Sequence, residues 1–420
     1  MTSVSTSPDT SDTDDGRDRD EAATVSLYRN VRAVTPDAVL DDAHVVVEDG
    51  VITSVGTGVA PAANGRAQRT IDGRGLLLLP GLIDTHSDGY EKEISPRRTA
   101  QFDLGFAIES FEGRLRSAGV VTVCHGVGYQ EKEGTDRSVE RAKALYDAIE
   151  TRRAEPAVGV DHRILYRTEA RDLDALDHLL ADIDEGRTGG AERVLVSFED
   201  HTPGQGQYRD VTQFEAAVDP ASVPEGMTVK EHVQGIIDRN EALIAVRDAN
   251  RSKLTARAEV GDIILLAHDV DTAEDVTMAL EMGASVAEFP VSFDAASAAR
   301  DADMTIVMGA PNALRGRSHS ANASARDLIA EGLCDVLASD YLPSTMLGAV
   351  SQLATEGVCD LAAAVRLVTS GPAAMLGLDD RGRIAEGARA DVILVDDRGS
   401  WPSVVGVYRV DDDPARRLTA

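Results

Sequence analysis

The chain has 420 residues, 43% of them hydrophobic, with a formal net charge of -30 and a sequence pI near 4.6. That length can bury a large core and fits one big domain with a smaller companion. The charge argues against nucleic acid or an anionic membrane as a partner, and no apolar run approaches the roughly 20 residues that span a bilayer.

Only five of the 42 basic residues are lysines, Lys92, Lys132, Lys143, Lys230 and Lys253. An acidic, arginine-rich and lysine-poor surface is expected of a halophilic protein, because concentrated salt screens self-repulsion. Cys124, Cys334 and Cys359 have no ligand or disulfide-framework spacing, which points to a reducing compartment. The polar start of the chain shows no basic segment followed by an apolar one. A soluble, cytoplasmic protein is the expectation.

Residues 1–23 mix Ser, Thr and Asp with almost no apolar side chains, and are expected to form a disordered acidic tail. From Val25 to Ile71, alternating runs such as His44-Val45-Val46-Val47-Glu48 and Val51-Ile52-Thr53-Ser54-Val55, divided by Asp49-Gly50, predict strands and tight hairpins. The same signature returns in Ala390-Asp391-Val392-Ile393-Leu394-Val395 and Ser403-Val404-Val405-Gly406-Val407-Tyr408. Residues 24–79 and 383–412 are therefore assigned to one small β-sandwich, with residues 80–382 inserted between them.

That insert carries eight apolar runs ending on polar or turn residues: Gly81 to Asp88, Val120 to Val127, Arg163 to Glu169, Arg193 to His201, Asp262 to Asp269, Ala284 to Pro290, Met304 to Pro311 and Asp335 to Asp340. Helix-period segments, including Val139 to Arg153, Ala175 to Asp184, Ala273 to Met282 and Ala325 to Leu333, separate most of them. Eight strand-then-helix units predict an α/β fold, a (β/α)8 TIM-type barrel with its active site at the C-terminal ends of the strands. The helical stretch Val229 to Ala258 reads as an insertion serving as a lid or an oligomer contact.

His86, Asp88, Glu169, His201, His268 and Asp340 all fall where these runs end. Six nitrogen and oxygen ligands converging on one rim suit two divalent metals, with zinc, manganese or iron compatible. Side chains alternate along a strand, so His86 and Asp88 face the same side. His125 also ends a run and is expected to be neutral and bonded to a neighbouring carbonyl; His44, His162, His178 and His232 receive no role.

The stretch Gly309 to Asn322 reads as a loop running into a helix. Asn312, Arg315, Arg317, Ser318 and His319 would form a phosphate cradle there. Arg97-Arg98 in the loop after the first run and the Gly-rich Thr202 to Gln207 add further candidates. Basic loops in so acidic a chain point to a small anionic, phosphorylated substrate; the competing reading is pairing with surface carboxylates.

The first-run His, the last-run Asp and the closing Gly382-Arg383-Ile384-Ala385-Glu386-Gly387-Ala388-Arg389-Ala390-Asp391-Val392 resemble the amidohydrolase superfamily. More narrowly, His86-Ser87-Asp88 with Glu91-Lys92 and Ser95-Pro96-Arg97, then Asp200-His201-Thr202-Pro203-Gly204-Gln205, His268-Asp269, Ala287-Glu288-Phe289-Pro290, Met308 to Asn312, Arg315-Gly316, Ser318-His319-Ser320 and Ser339-Asp340-Tyr341 are similar to the subfamily of α-D-ribose 1-methylphosphonate 5-triphosphate diphosphatases of the carbon-phosphorus lyase pathway. The resemblance implies release of pyrophosphate from a ribosyl phosphonate triphosphate, with two metals, a shared activated water and Asp340 as general base. His268 is grouped with Asp340 as catalytic, Glu169 is the bridging candidate, and Arg97, Asn312, Arg315, Arg317, Ser318 and His319 contact substrate. The alternative is amide, cyclic-imide or nucleotide hydrolysis on the same metals, and a homo-oligomer fits the superfamily.

Two departures carry expectations of their own. Ala321 stands where the subfamily usually has glycine. Glu169, His201 and His268 also end runs three, four and five, whereas the superfamily usually places such ligands on four, five and six, which implies a strand that the pattern does not display.

Overall fold

The computed structural model describes residues 25–61, 68–97, 99–131, 137–318 and 322–412. The expected tail at 1–23 and the candidates Arg98, His319 and Ala321 lie outside the described residues.

Strands β1 (Val25–Val34), β2 (Val39–Glu48), β3 (Val51–Thr57), β4 (Gln68–Asp72) and β5 (Leu77–Pro80) open the chain. Asp49 and Gly50, with φ of 53° and 83°, make the two-residue turn between β2 and β3 that the Asp-Gly pair predicts, since both central positions need positive φ. Eight further strands follow: β6 (Leu82–Ser87), β7 (Val120–Tyr129), β8 (Asp161–Glu169), β9 (Val194–Glu199), β10 (Ile263–His268), β11 (Val286–Glu288), β12 (Thr305–Gly309) and β13 (Val336–Ala338). Last come β14 (Val392–Asp396) and β15 (Ser403–Tyr408).

The first five and last two strands form a single sheet in the order β15-β14-β5-β1-β2-β3, with β4 also on β1. Both chain ends meet where β14 runs antiparallel to β5, Val392 opposite Pro80. Val31, Ala33, Val45, Ile52, Leu78 and Val392 bury together beneath that sheet.

Strands β6 to β13 pair in sequence order, every pair parallel. The ring closes at a bridge between Ser87 and Asp340, where the Asp340 amide donates to the His86 carbonyl at 2.9 Å. The expected additional strand is corrected here. Each of the eight runs holds one strand, and each strand pairs with its sequence neighbour around the ring, so no pairing edge is left for another among the described residues. Glu169 and His268 therefore end barrel strands three and five, and His201 follows strand four.

Leu165, Leu195, Leu266, Val286, Val307 and Val336 form a separate apolar cluster inside this ring. Each such side chain contributes roughly 1.5–3 kcal/mol on burial. Two or four residues further along the same strands the period of two brings Arg167, Glu169, Ser197, Glu199, His268, Glu288 and Asp340 onto the same inner face. An apolar layer thus holds the barrel, and the polar layer above it costs stability unless its groups are paired.

The expected helices stand at Val139–Arg153 and Ala175–Asp184, with shorter ones at Ala273–Glu281 and Ala325–Ala330. The helical stretch expected over 229–258 is two helices, Val229–Ala242 and Ile244–Val260, divided at Leu243. No helix among the described residues is long and apolar enough to cross a membrane.

Candidate active site

Strand β6 delivers His86 and Asp88 to the rim, β10 delivers His268, and the turn after β13 delivers Asp340. Ligand atoms of His86, Asp88 and Asp340 lie within 4.8 Å of one another, as do those of His86, His268 and Glu288, of His201, His268 and Asp269, and of Glu169, Glu199 and His201. These four groups share members and form one continuous cluster.

Glu288 is fully buried at the end of β11 and sits at its centre. One carboxylate oxygen lies 2.8 Å from His86 Nδ1, the other 2.8 Å from His268 Nδ1, and Ser197 Oγ donates to it at 2.6 Å. With each Nδ1 committed to Glu288, the Nε2 atoms are left for the cavity side, where they face Asp88 at 3.7 Å and Asp269 at 3.5 Å. A carboxylate behind a ligating histidine fixes its ring and tautomer in this way. Burial opposes protonation of His268, but Asp269, Glu199 and Glu288 outweigh it and raise its pKa to about 9. His86 is likewise raised, against its burial, by Glu288 and Asp88.

Arg167 on β8 bridges the other side. Its guanidinium pairs with Asp88 and, at 2.6 and 3.1 Å, with both oxygens of Glu199. Burial opposes ionisation of Glu199, yet Arg167, His268 and His201 hold its pKa at about 2. His201 Nδ1 lies 2.5 Å from Glu169, so Glu169 and Glu199 flank one ring. Asp340 is pushed upward by burial, toward the range a general base needs.

Asp269, Phe289 and Asp340, each just past a barrel strand, have φ of 55°, 55° and 57°. Left-handed backbone in a non-glycine residue costs about 1–3 kcal/mol and gathers at working sites. Phe289 packs its ring 5.2 Å from that of His86 and 5.5 Å from that of His268.

Six carboxylates, Asp88, Glu169, Glu199, Asp269, Glu288 and Asp340, thus crowd three histidines and one arginine. Asp88 Oδ1 and Asp269 Oδ2 are buried without a hydrogen-bond partner. Surplus negative charge, unpartnered inward oxygens and mixed imidazole and carboxylate donors fit divalent metal ions. His86, Asp88, His201, His268 and Asp340 stand where they could hold them, with Glu169 and Glu199 beside His201.

A cavity of about 260 Å³ opens over the cluster, lined by His86, Arg167, His201, His268 and Asp340 together with Asn312, Arg315 and Ser318. The expected loop at 309–322 begins instead as a helix, Ala310–Arg315, with Pro311 in its first turn and Gly316 in the left-handed conformation ending it. Arg315 therefore sits at a helix C-terminus, and the cradle owes nothing to an N-terminal dipole. Asn312 donates to the Ala323 carbonyl at 3.0 Å and accepts from the Ala325 amide at 3.1 Å, so its amide group pins the following loop. Arg317 is exposed and outside this lining, as is Arg97, which sits in an isolated bridge with Ala100.

Sequence reading missed Arg167 and Glu199 and gave Glu288 and Asp269, both present in its motifs, no role. For Arg167, Glu199 and Glu288 the available signal was a charged residue in phase with the inner apolar layer of its strand. Burial and His162 hold His125 well below the usual imidazole range, in keeping with the expected neutral ring, but its expected carbonyl partner is corrected: its Nε2 lies 2.8 Å from His162 Nδ1, and His162 Nε2 lies 2.9 Å from Glu112. His125 points outward from β7 toward the helices, where another side chain is nearer than any free carbonyl.

The sequence profile of the amidohydrolase family matches residues 77–409. The α-D-ribose 1-methylphosphonate 5-triphosphate diphosphatase of Escherichia coli (strain K12) is 32% identical over 82% of this chain and 89% of its own length. A 5-methylthioadenosine/S-adenosylhomocysteine deaminase of Halobacterium salinarum is 24% identical over 86% of this chain and 81% of its own. Among solved structures, an enamidase of the amidohydrolase superfamily superposes with a TM-score of 0.57 at 17% identity, over 92% of this chain and 95% of that one. A matching profile across most of the chain, on an eight-stranded parallel barrel with a second sheet from both chain ends, establishes that this protein belongs to the amidohydrolase family.

Proposed function

We propose that this hydrolase cleaves α-D-ribose 1-methylphosphonate 5-triphosphate to the 5-phosphate and pyrophosphate, as the name of its Escherichia coli relative describes for that protein. The observation that carries the reading is that one cavity joins the carboxylate and histidine cluster to Arg315 and Ser318. Two divalent ions, zinc first, held by His86, Asp88, Glu169, His201, His268 and Asp340 with Glu199 alongside, would supply Lewis acidity and an acidified water.

The remaining steps belong to the chain. Glu288 holds both histidine rings, and Arg167 keeps Asp88 and Glu199 ionised and in place. Asp340 takes the proton of the attacking water as its oxygen bonds to the α-phosphorus. The bond from that phosphorus to the bridging oxygen breaks, and pyrophosphate leaves toward Arg315 and Ser318, whose donors offset its charge.

The test is a substrate panel with each metal added back in high salt. Pyrophosphate release from the ribosyl methylphosphonate triphosphate, exceeding that from ATP, with no ring opening of a dihydropyrimidine, is the expected result. Turnover of the dihydropyrimidine alone would overturn the assignment.

A further inference from the structure

A second cavity, of about 320 Å³, lies on the opposite side of the rim between the segment after β6, strands β7 and β8 and the helix Val139–Arg153. Its lining includes Lys92, Gln130, Arg137, Ser138, Arg141 and Arg167. Four cations in one concavity are unexpected in a chain of net charge -30. They are not used alike. Arg137 is paired with Glu91 at 3.4 Å, and Arg167 with Asp88 and Glu199. Lys92 and Arg141 form no salt bridge among the described residues, although Lys92 lies in the field of the Glu91 carboxylate on the same wall. Gln130 is buried, and the Ser138 hydroxyl, which caps the helix by accepting from the Arg141 amide at 3.1 Å, stands at the same wall.

Arg167 lines both cavities, so the two flank one side chain beside the histidine and carboxylate cluster. On the reaction proposed above, with pyrophosphate leaving on the Arg315 side, the rest of the substrate would extend across the cluster toward Arg167. In a ribosyl phosphonate the group at C1 is a second oxyanion, at the opposite end of the sugar from the triphosphate. Lys92 and Arg141, neither held in a salt bridge among the described residues, offer charge-assisted donors of the kind that bind phosphonate or phosphate oxygens.

We infer that the Lys92 and Arg141 cavity is an oxyanion subsite that receives the phosphonate at C1 and so selects ribosyl phosphonates over nucleotides. This rests on the reading of the reaction given above. ATP carries the same 5-triphosphate with an uncharged base at C1, which makes it the matched control.

The experiment compares the metal-loaded full chain with Arg141→Gln and Lys92→Gln on both substrates. The KM for the phosphonate substrate is expected to rise roughly tenfold or more in each variant, and by at least tenfold more than the KM for ATP. Equal changes on both substrates, or none on either, would overturn the subsite. In a second arm, methylphosphonate is titrated calorimetrically into the parent and Arg141→Gln chains. If the parent releases no pyrophosphate but binds methylphosphonate and the variant does not, the reaction assignment fails and the subsite stands; binding unchanged by the substitution, or absent from the parent, sinks the subsite alone.

Discussion

Glu288→Gln keeps the volume of the buried side chain and removes the charge that His86 and His268 share. An amide can accept on one side only, so one ring loses its orienting partner and its fixed tautomer. Metal affinity is expected to fall about 10–100-fold, measured as metal retained after dialysis against buffered chelator; unchanged retention would remove Glu288 from the support of the site. Asp340→Ala separates binding from chemistry. The remaining ligands hold metal, while the proton acceptor is gone, so kcat should drop about a thousandfold with metal content largely kept. Near-normal turnover would refute the base. His86, Asp88, His201, His268 and Asp340 were legible because each ends an apolar run. Glu199 was not, and Glu288 stood in a motif without a role, because each lies inside its run and only the phase of the barrel interior tells an inward carboxylate from an outward one. Arg167 was hidden in the same way by Tyr166 and Thr168 beside it.

The eight barrel strands could be read from sequence because parallel strands covered by helices are apolar on both faces and end sharply. The 310–315 helix could not be read as easily. Its six residues are shorter than a helical period pattern can reveal, and its signals are punctuation, Pro311 at the start and Gly316 at the end. The barrel wall holds a polar network that no local pattern announces. Glu112, on the helix Leu104–Ser117, accepts from Arg152 at 2.8 and 2.9 Å and from the Gly159 amide at 2.8 Å, and meets His162 at 2.9 Å. It ties two helices to β7 and β8. Burial opposes its ionisation, but His162, Arg152 and the amide hold its pKa at about 2, below the ordinary 4.5. A depressed carboxylate stabilises the fold above its unfolded pKa and loses that contribution as pH falls through the folded one. Glu112→Gln should therefore cost about 3 kcal/mol at neutral pH in urea melts. The difference from the parent should shrink between pH 4.5 and 2; a constant difference across that window would contradict the network.

At the scale of the molecule, sequence showed that both chain ends are β-rich, and the pairing of β14 with β5 shows why they must meet: Leu78, Val392 and Leu394 bury in one core that neither end could fill alone. The strands converge their charged residues because a closed parallel ring has one C-terminal rim. What sequence could not show is how the cavities divide around that rim, since Lys92, Arg141 and Arg167 come from three separate segments. The proposed reaction has one central step, water attacking the α-phosphorus with pyrophosphate leaving toward Arg315. Hydrolysis of the ribosyl methylphosphonate triphosphate in oxygen-18 water, followed by phosphorus NMR, tests it most directly. The account predicts label in the ribosyl 5-phosphate and unlabelled pyrophosphate; label in pyrophosphate, or orthophosphate as the released product, would contradict it.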